Sequence, residues 1–264
     1  MLEMLVLIRL VLAFVVGSLW VTVATIIAEK KGAIIGGILG GFPSTAAFSF
    51  LFIAINQSTD VAVNATTVFP LAFAITNAYL FLYAFFAKKG FKVGLSVSLL
   101  IWLVSSTLIV LSGITDYIVA LTGGAVISAI TFYLFSKKLK LAKFEGERTL
   151  YRTSEVFLRG LGAGAIVAVS VLLSQIGGPV LGGVAATFPA VFTSTLLILH
   201  HSKGTEFTRS ISKPLAYSGI LTVIPYSILV HFLYPLVGIW FGTLFSYLLV
   251  FPLVLASYYA ANIL

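Results

Sequence analysis

Residues 34–44 read Ile-Ile-Gly-Gly-Ile-Leu-Gly-Gly-Phe-Pro-Ser, and residues 180–190 read Val-Leu-Gly-Gly-Val-Ala-Ala-Thr-Phe-Pro-Ala. The two stretches align without a gap, so that Gly-Gly falls on Gly-Gly and Phe-Pro falls on Phe-Pro. Glycine and proline both weaken a helix, which makes this combination unusual inside an apolar segment. Two copies in matched surroundings predict an internal duplication.

The similarity between the two halves extends outward from this motif. Three further landmarks keep their order: Phe69-Pro70 with Lys213-Pro214, Val93-Gly94 with Val237-Gly238, and Leu5–Arg9 with Glu155–Arg159. The length differences fall in the connections, which is typical of a structural repeat. We therefore predict repeat one over 1–112, a linking helix and basic loop over 113–150, and repeat two over 151–264.

The composition indicates a polytopic membrane protein. The chain is 60% hydrophobic and 9% charged, whereas soluble domains carry about 25% charged residues. A helix needs roughly 20 apolar residues to cross a bilayer. On that basis we predict nine transmembrane spans, at about 4–28, 33–55, 67–87, 93–111, 115–136, 154–174, 178–200, 214–233 and 236–260.

The positive charges predict the orientation of these spans. Apart from Arg9 and Arg159, every lysine and arginine lies in or beside a connection that follows an odd-numbered span. Positively charged loops mark the cytoplasmic side. We expect a multi-pass protein of the cell membrane, with its N-terminus outside and its C-terminus in the cytoplasm. Its expected partner is the lipid bilayer, and the net charge of +8 requires no nucleic acid.

The number of spans predicts the relation between the repeats. Spans one to four form repeat one, spans six to nine form repeat two, and span five links them. A single linking helix makes the second repeat enter the membrane from the opposite side. The predicted fold class is therefore all-α, with two inverted four-helix repeats related by a pseudo-two-fold axis in the membrane plane.

The Phe-Pro motifs predict discontinuous helices at spans two and seven. Each proline removes one backbone donor, and the freed groups must find protein, water or a ligand. We interpret these breaks as a substrate site at the repeat interface, although the same small residues also suit helix packing. The candidate residues are Gly40, Gly41, Phe42, Pro43, Ser44, Thr45, Thr187, Phe188, Pro189, Thr193 and Ser194.

Three polar side chains inside spans are further candidates for a solute pathway. Arg9 and Arg159 are repeat mates, each about five residues into its span. A charge in the apolar zone is often functional, but both arginines could also snorkel to headgroups. Asn77 is the most polar side chain well inside a span, and an interhelical hydrogen bond is its alternative role.

Several classes of function are disfavoured by the residue types present. The chain has no cysteine, and its acidic residues all lie in loops or at span ends. This weighs against a carboxylate proton relay and against hard-cation coordination. No nucleophile elbow, phosphate loop or HExxH motif is present. We therefore expect no enzyme activity, no metal and no cofactor.

The second repeat resembles the GlpM (YdgC-like) family of small four-helix membrane proteins. The resemblance rests on Arg159 followed by small residues, Gly182-Gly183 leading to Phe188-Pro189, Ile224-Pro225-Tyr226, and Val237-Gly238. It covers nearly all of 155–260, and it adds Tyr226 to the candidate residues. The resemblance implies a fused form of a dual-topology dimer, and it bears on architecture more than on activity.

Together these features predict a transporter or permease for a small solute, with its site near the broken helices two and seven. The alternatives are an ion or small-solute channel, or a non-transporting membrane component of envelope or lipid assembly. The identity of the solute and the formation of homo-oligomers stay open.

Overall fold

The computed structural model describes residues 2–31, 42–139, 141 and 152–263, and within these ranges the chain forms helices and no strand. In chain order the helices are α1 (Leu2–Lys31), α2 (Ser44–Asn56), α3 (Thr59–Thr67), α4 (Phe69–Phe86), α5 (Phe91–Leu111), α6 (Tyr117–Lys138), α7 (Thr153–Gly177), α8 (Pro179–Ala185) and α9 (Ala190–Ile263). A 3-10 turn at Ala87–Lys89 joins α4 to α5.

Helix α9 is divided into three arms by two glycines. Gly204 and Gly238 have φ values of 80° and 76°, which fall in the left-handed region that favours glycine. We name the parts the first arm (190–203), the second arm (205–237) and the third arm (239–263). Without these breaks, 74 residues would extend about 110 Å, several times the thickness of a bilayer core.

The described ranges contain six helical stretches that are long and apolar enough to cross a membrane. They are Val6–Ile27, Phe69–Lys89, Phe91–Leu111, Tyr117–Lys138, Thr153–Gly177 and Pro179–Ser257. The last stretch contains three of the predicted spans, and the predicted span 33–55 lies partly outside the described residues. The structure therefore has the character of a multi-pass helical membrane protein, while the count of nine crossings stays a prediction.

One predicted connection is helical. Residues 56–64 contain polar side chains that suggested a loop, but α3 begins at Thr59. The Ser58 hydroxyl caps this helix by accepting a hydrogen bond from the backbone N–H of Val61 at 3.2 Å. Such a cap satisfies one of the unpaired donors of the first turn.

Helices α1 and α7, which begin the two repeats, pack antiparallel through small residues. A side chain added at Gly160 would contact Thr22, and one added at Gly164 would contact Ser18. A Cβ atom at Gly17 would lie 3.0 Å from Val167. Later residues of α7 thus contact earlier residues of α1, which shows that the two helices run in opposite directions.

The third helices of the two repeats are also antiparallel neighbours. Helices α3 and α4 run beside the second arm of α9, and contacts join Thr66 to His231 and Tyr83 to Thr208. Between these points Asn77 lies beside Gly219. The two pairs of repeat mates therefore share one geometry.

The structure shifts one predicted equivalence by a helical turn. Gly90, with φ 120°, directly precedes α5, and Gly238, with φ 76°, directly precedes the third arm. Four residues later, a Cβ atom at Gly94 would lie 2.7 Å from Ala87, and one at Gly242 would lie 2.7 Å from Tyr234. Gly90 and Gly94 are therefore the mates of Gly238 and Gly242, and the pairing of Val93-Gly94 with Val237-Gly238 is wrong by four residues.

The core is shared between the two halves of the chain. The largest cluster of buried apolar side chains combines Phe50, Phe69 and Phe73 with Tyr226 and Tyr234. Burial of such rings is a major source of stability, and here it joins residues from both predicted repeats. The predicted domain boundaries at 112 and 151 stay predictions.

Candidate functional site between the two repeats

The Phe-Pro motif of the second repeat interrupts the helix, as predicted. Helix α8 ends at Ala185, and the first arm of α9 begins at Ala190. The Ala185 carbonyl, four residues before Pro189, accepts a hydrogen bond from the Phe188 N–H at 3.0 Å. Pro189 is buried, and its carbonyl accepts from the Thr193 N–H at 2.8 Å.

Two side chains from the first half of the chain form hydrogen bonds at the break between α8 and α9. The Thr76 hydroxyl of α4 donates to the Thr187 carbonyl at 2.7 Å. The Trp102 indole N–H of α5 donates in turn to the Thr76 hydroxyl at 2.9 Å. The Thr187 hydroxyl donates to the Val184 carbonyl at 2.7 Å. The carbonyl at the break is thus satisfied from the opposite repeat rather than by its own helix.

The other candidates near this break also have partners within the protein. The hydroxyls of Thr193 and Tyr79 are 2.9 Å apart, which adds a second contact between the halves. Ser194 donates to the Val191 carbonyl at 3.0 Å. Phe188 is partly exposed, and its ring meets the Trp102 ring edge to face at 5.1 Å.

The first Phe-Pro motif is described only from Phe42 onward, so Gly40 and Gly41 lie outside the described residues. Phe42 contacts two rings of the third arm, Tyr247 at 5.7 Å and Phe251 at 6.1 Å. Pro43 is buried directly before α2. Each Phe-Pro motif therefore packs against the last helix of the other repeat.

Ser44 and Thr45, the hydroxyl residues after Pro43, lie in the first turn of α2, and Ser44 contacts α1. Ser44 accepts a hydrogen bond from the Trp20 indole N–H at 3.1 Å. Thr45 is half-buried in the first turn of α2.

The glycine pair of the second motif permits close approach of backbones. A side chain at Gly183 would collide with the Ala65 carbonyl of α3, and a Cβ atom at Gly182 would lie 2.9 Å from the Ser170 carbonyl of α7. Backbone atoms cannot move aside as a flexible side chain can. The Gly-Gly pair is therefore explained by packing of α8 against both repeats.

Arg9 lies beside the C-terminal end of α2. Its Nη1 atom donates to the Ile55 carbonyl at 3.3 Å, in the last turn of α2. A cation in this position complements the unpaired carbonyls and the dipole of the helix. Arg159 is half-buried near the start of α7.

A polar cluster that the sequence did not indicate joins the end of α4 to the start of the second arm. We call it the Arg209 clamp. The hydroxyls of Tyr83 and Thr208 are 2.6 Å apart, and Arg209 Nε donates to the Ala84 carbonyl at 2.9 Å. The guanidinium is buried and also pairs with Glu206 at 2.6 Å. Arg209 had been assigned only to a cytoplasmic loop, because contacts between distant segments leave no local pattern.

A second cluster joins α3 to the end of the second arm, and we call it the His231 clamp. His231 Nδ1 lies 2.8 Å from the Thr66 hydroxyl, and the His231 ring stacks on Tyr117 at 3.9 Å. The Thr66 hydroxyl donates a hydrogen bond to the Val63 carbonyl at 2.6 Å. The Thr66 oxygen is therefore left to accept a hydrogen bond from His231 Nδ1, and this contact joins α3 to the second arm.

Asn77 lies between the two clamps and is fully buried. It does not make the interhelical hydrogen bond that was considered for it, because its Nδ2 donates to the Phe73 carbonyl of its own helix at 3.0 Å. Within the described part of the chain, its Oδ1 has no hydrogen-bond partner. Tyr226 lies two turns beyond Gly219 on the second arm, with its ring 5.1 Å from the Tyr247 ring.

The described ranges hold no group of three or more histidine, aspartate or glutamate side chains arranged to bind a metal ion.

Comparison with known proteins supports the duplication. A family model described as "Protein of unknown function (DUF3147)" matches the chain twice, over residues 10–115 and 156–262. No curated protein and no solved structure matches it. The two matches correspond to the two predicted repeats, whereas the resemblance to the GlpM family stays a prediction.

Proposed function

The chain belongs to the DUF3147 family of proteins of unknown function, and from this premise we propose that it is a membrane transporter or permease for a small solute. The pathway would run along the interface between α3–α4 and the second arm of α9.

The observation that carries this proposal is the antiparallel pairing of these two segments. Polar clamps join both ends of the pair, and the buried Asn77 lies between them. From Thr66 to Ala84 the chain rises about 27 Å at 1.5 Å per residue. This length is close to the roughly 30 Å hydrocarbon core of a bilayer, which supports a position for each clamp near one membrane face.

The charge pattern supports an assignment of the two faces. Lys88 and Lys89 follow α4 next to the Arg209 clamp, and Lys203 precedes the second arm. Positive loops favour the cytoplasmic side, so the Arg209 clamp would face the cytoplasm and the His231 clamp the outside. The same assignment leaves the N-terminus outside and the C-terminus inside the cell membrane, with nine crossings.

The antiparallel pairing of repeat mates supports inverted repeats. In transporters built this way, the two repeats exchange conformations around a central site, so that it opens to each side in turn. The exchange proposed here opens the Arg209 clamp while the His231 clamp stays closed, and the reverse. The break between α8 and the first arm supplies the discontinuous helix that such motions use.

Cysteine labelling tests this proposal directly, because the natural chain has no cysteine. Thr222→Cys places a single thiol at a buried position between the clamps. The Arg209 clamp is weakened by Tyr83→Phe with Thr208→Val, and the His231 clamp by Thr66→Val with His231→Phe. Thr107→Val is the matched control, since this exposed hydroxyl bonds only to the Leu103 carbonyl of its own helix.

We expect a membrane-impermeant maleimide to label the Thr222→Cys thiol faster from the cytoplasmic side when the Arg209 clamp is weakened. Weakening the His231 clamp should accelerate labelling from the outside only. A lost hydrogen bond of about 1 kcal/mol predicts a roughly fivefold increase. Faster labelling from both sides in one variant would contradict alternation and favour a channel. Unchanged labelling in every variant would contradict transport along this interface.

A further inference from the structure

We infer that Asn77 is the solute-binding side chain of this pathway, and that it accepts a hydrogen bond from an N–H or O–H group of a small neutral solute. The inference rests on the proposed transport function and gives the chemical class of its substrate.

The position of Asn77 is central to the pathway. On α4 it lies roughly midway between Thr66 of the His231 clamp and Ala84 of the Arg209 clamp. On the facing segment, Gly219 lies roughly midway between Thr208 and His231. A site that opens alternately to two sides must lie between the two closures, and the middle of the membrane is where inverted repeats place it.

The orientation of the Asn77 amide is set by its own helix. Because Nδ2 donates to the Phe73 carbonyl at 3.0 Å, the oxygen must be the atom that faces Gly219. A Cβ atom at Gly219 would lie 3.0 Å from this oxygen. The amide is thus held with its acceptor directed at the opposite repeat.

The observation that points to a ligand is an unpaired Oδ1 on a fully buried side chain midway between the two clamps. A buried acceptor without a partner costs roughly 1–3 kcal/mol, and natural proteins keep few such groups. Oδ1 has no partner within the described residues, although Asn77 is fully buried. A solute that donates to Oδ1 when bound would remove this cost.

The surroundings favour a neutral solute. An anion would face the carbonyl oxygen of Asn77 rather than a donor. A cation would lack a carboxylate partner among the described side chains, since Asp60, Asp116, Glu155 and Glu206 lie at or beside helix ends. The Phe73 ring, 3.1 Å from the Cβ position of Gly219, adds an apolar wall. Amides, urea-like compounds and polyols fit these requirements.

The test is solute flux into proteoliposomes, measured by stopped-flow light scattering with urea, acetamide and glycerol, and with sodium chloride as the charged control. We expect the unmodified protein to accelerate entry of at least one neutral solute. Asn77→Leu should reduce this protein-dependent flux at least tenfold. It should also leave the melting temperature equal or higher, because it removes an unpaired buried acceptor.

Asn56→Leu is the matched control. Asn56 has the same local geometry, with Nδ2 donating to the Phe52 carbonyl at 2.8 Å and a buried Oδ1 without a partner among the described residues. It lies at the end of α2, away from Gly219, so its replacement should leave the flux unchanged. Gly219→Ala provides a second variant, since its methyl group would crowd Oδ1 and reduce the flux with Asn77 intact.

The outcomes separate the two claims. If the unmodified protein conducts a neutral solute and Asn77→Leu conducts it equally well, the Asn77 site is wrong while transport stands. If Asn77→Leu lowers the melting temperature and leaves flux intact, Asn77 is structural. If no solute enters vesicles with the unmodified protein faster than it enters protein-free vesicles, both the proposed function and the inference about Asn77 are wrong.

Discussion

Single glycines in α7 differ in what surrounds them, although they are spaced evenly in the sequence. Gly160 and Gly164 face α1, where added side chains would collide with Thr22 and Ser18. At Gly162, no atom of another described helix lies within 4 Å of the Cβ position. From the sequence, these glycines were noted only as small residues that follow Arg159. The partner helix is 140 residues away, and no local pattern identifies it.

The two kinds of glycine predict opposite effects of alanine. Gly164→Ala should lower the free energy of unfolding by about 1–3 kcal/mol, because an added methyl group forces α1 away from α7. Gly162→Ala should be neutral or stabilise by up to about 1 kcal/mol, because alanine favours the helix. Thermal unfolding of both variants in the same detergent provides the measurement. Equal melting temperatures for the two variants would contradict the close α1–α7 packing.

At the scale of elements, the break between α8 and α9 was predictable and its support was not. Gly-Gly followed by Phe-Pro predicts a break in the helix, because proline removes a backbone hydrogen-bond donor and glycine weakens the helix. The side chains that satisfy the break, Thr76 and Trp102, belong to α4 and α5. Neither is unusual in its own helix, so their role follows only from the tertiary fold. The Gly90 and Gly238 turns show the same limit, since sequence alignment alone paired them one turn out of register.

The break predicts a cost for removing the Thr76 hydroxyl. Thr76→Val retains the shape of the side chain but leaves the Thr187 carbonyl and the Trp102 N–H without this partner. The expected loss is about 1–2 kcal/mol, since hydrogen bonds inside membranes average below the cost of a fully unpaired group. Comparison of its melting temperature with that of Thr107→Val checks the result. A loss no greater than that of the control would show that the contact does not support the break.

At the scale of the whole molecule, the duplication and the apolar helices were predictable from the sequence. They depend on repeated sequence motifs and on composition, which can be recognised without knowledge of tertiary contacts. The interlocking of the repeats was not predictable, because each Phe-Pro motif packs on the other repeat's last helix. The clamps at Arg209 and His231 were likewise missed, since Arg209 had been assigned to a connection and no sequence motif singled out His231.

The central claim is that the two repeats are inverted, and the turns before their last helices test it most directly. Lys89 precedes α5 in the first repeat, and Leu236 occupies the corresponding turn before the third arm in the second. Both side chains are exposed, and the chain has no natural cysteine. Single variants Lys89→Cys and Leu236→Cys are labelled with an impermeant maleimide in intact and in permeabilised cells. Inversion predicts labelling of Leu236→Cys in intact cells and of Lys89→Cys only after permeabilisation, whereas labelling of both from the same side would contradict it.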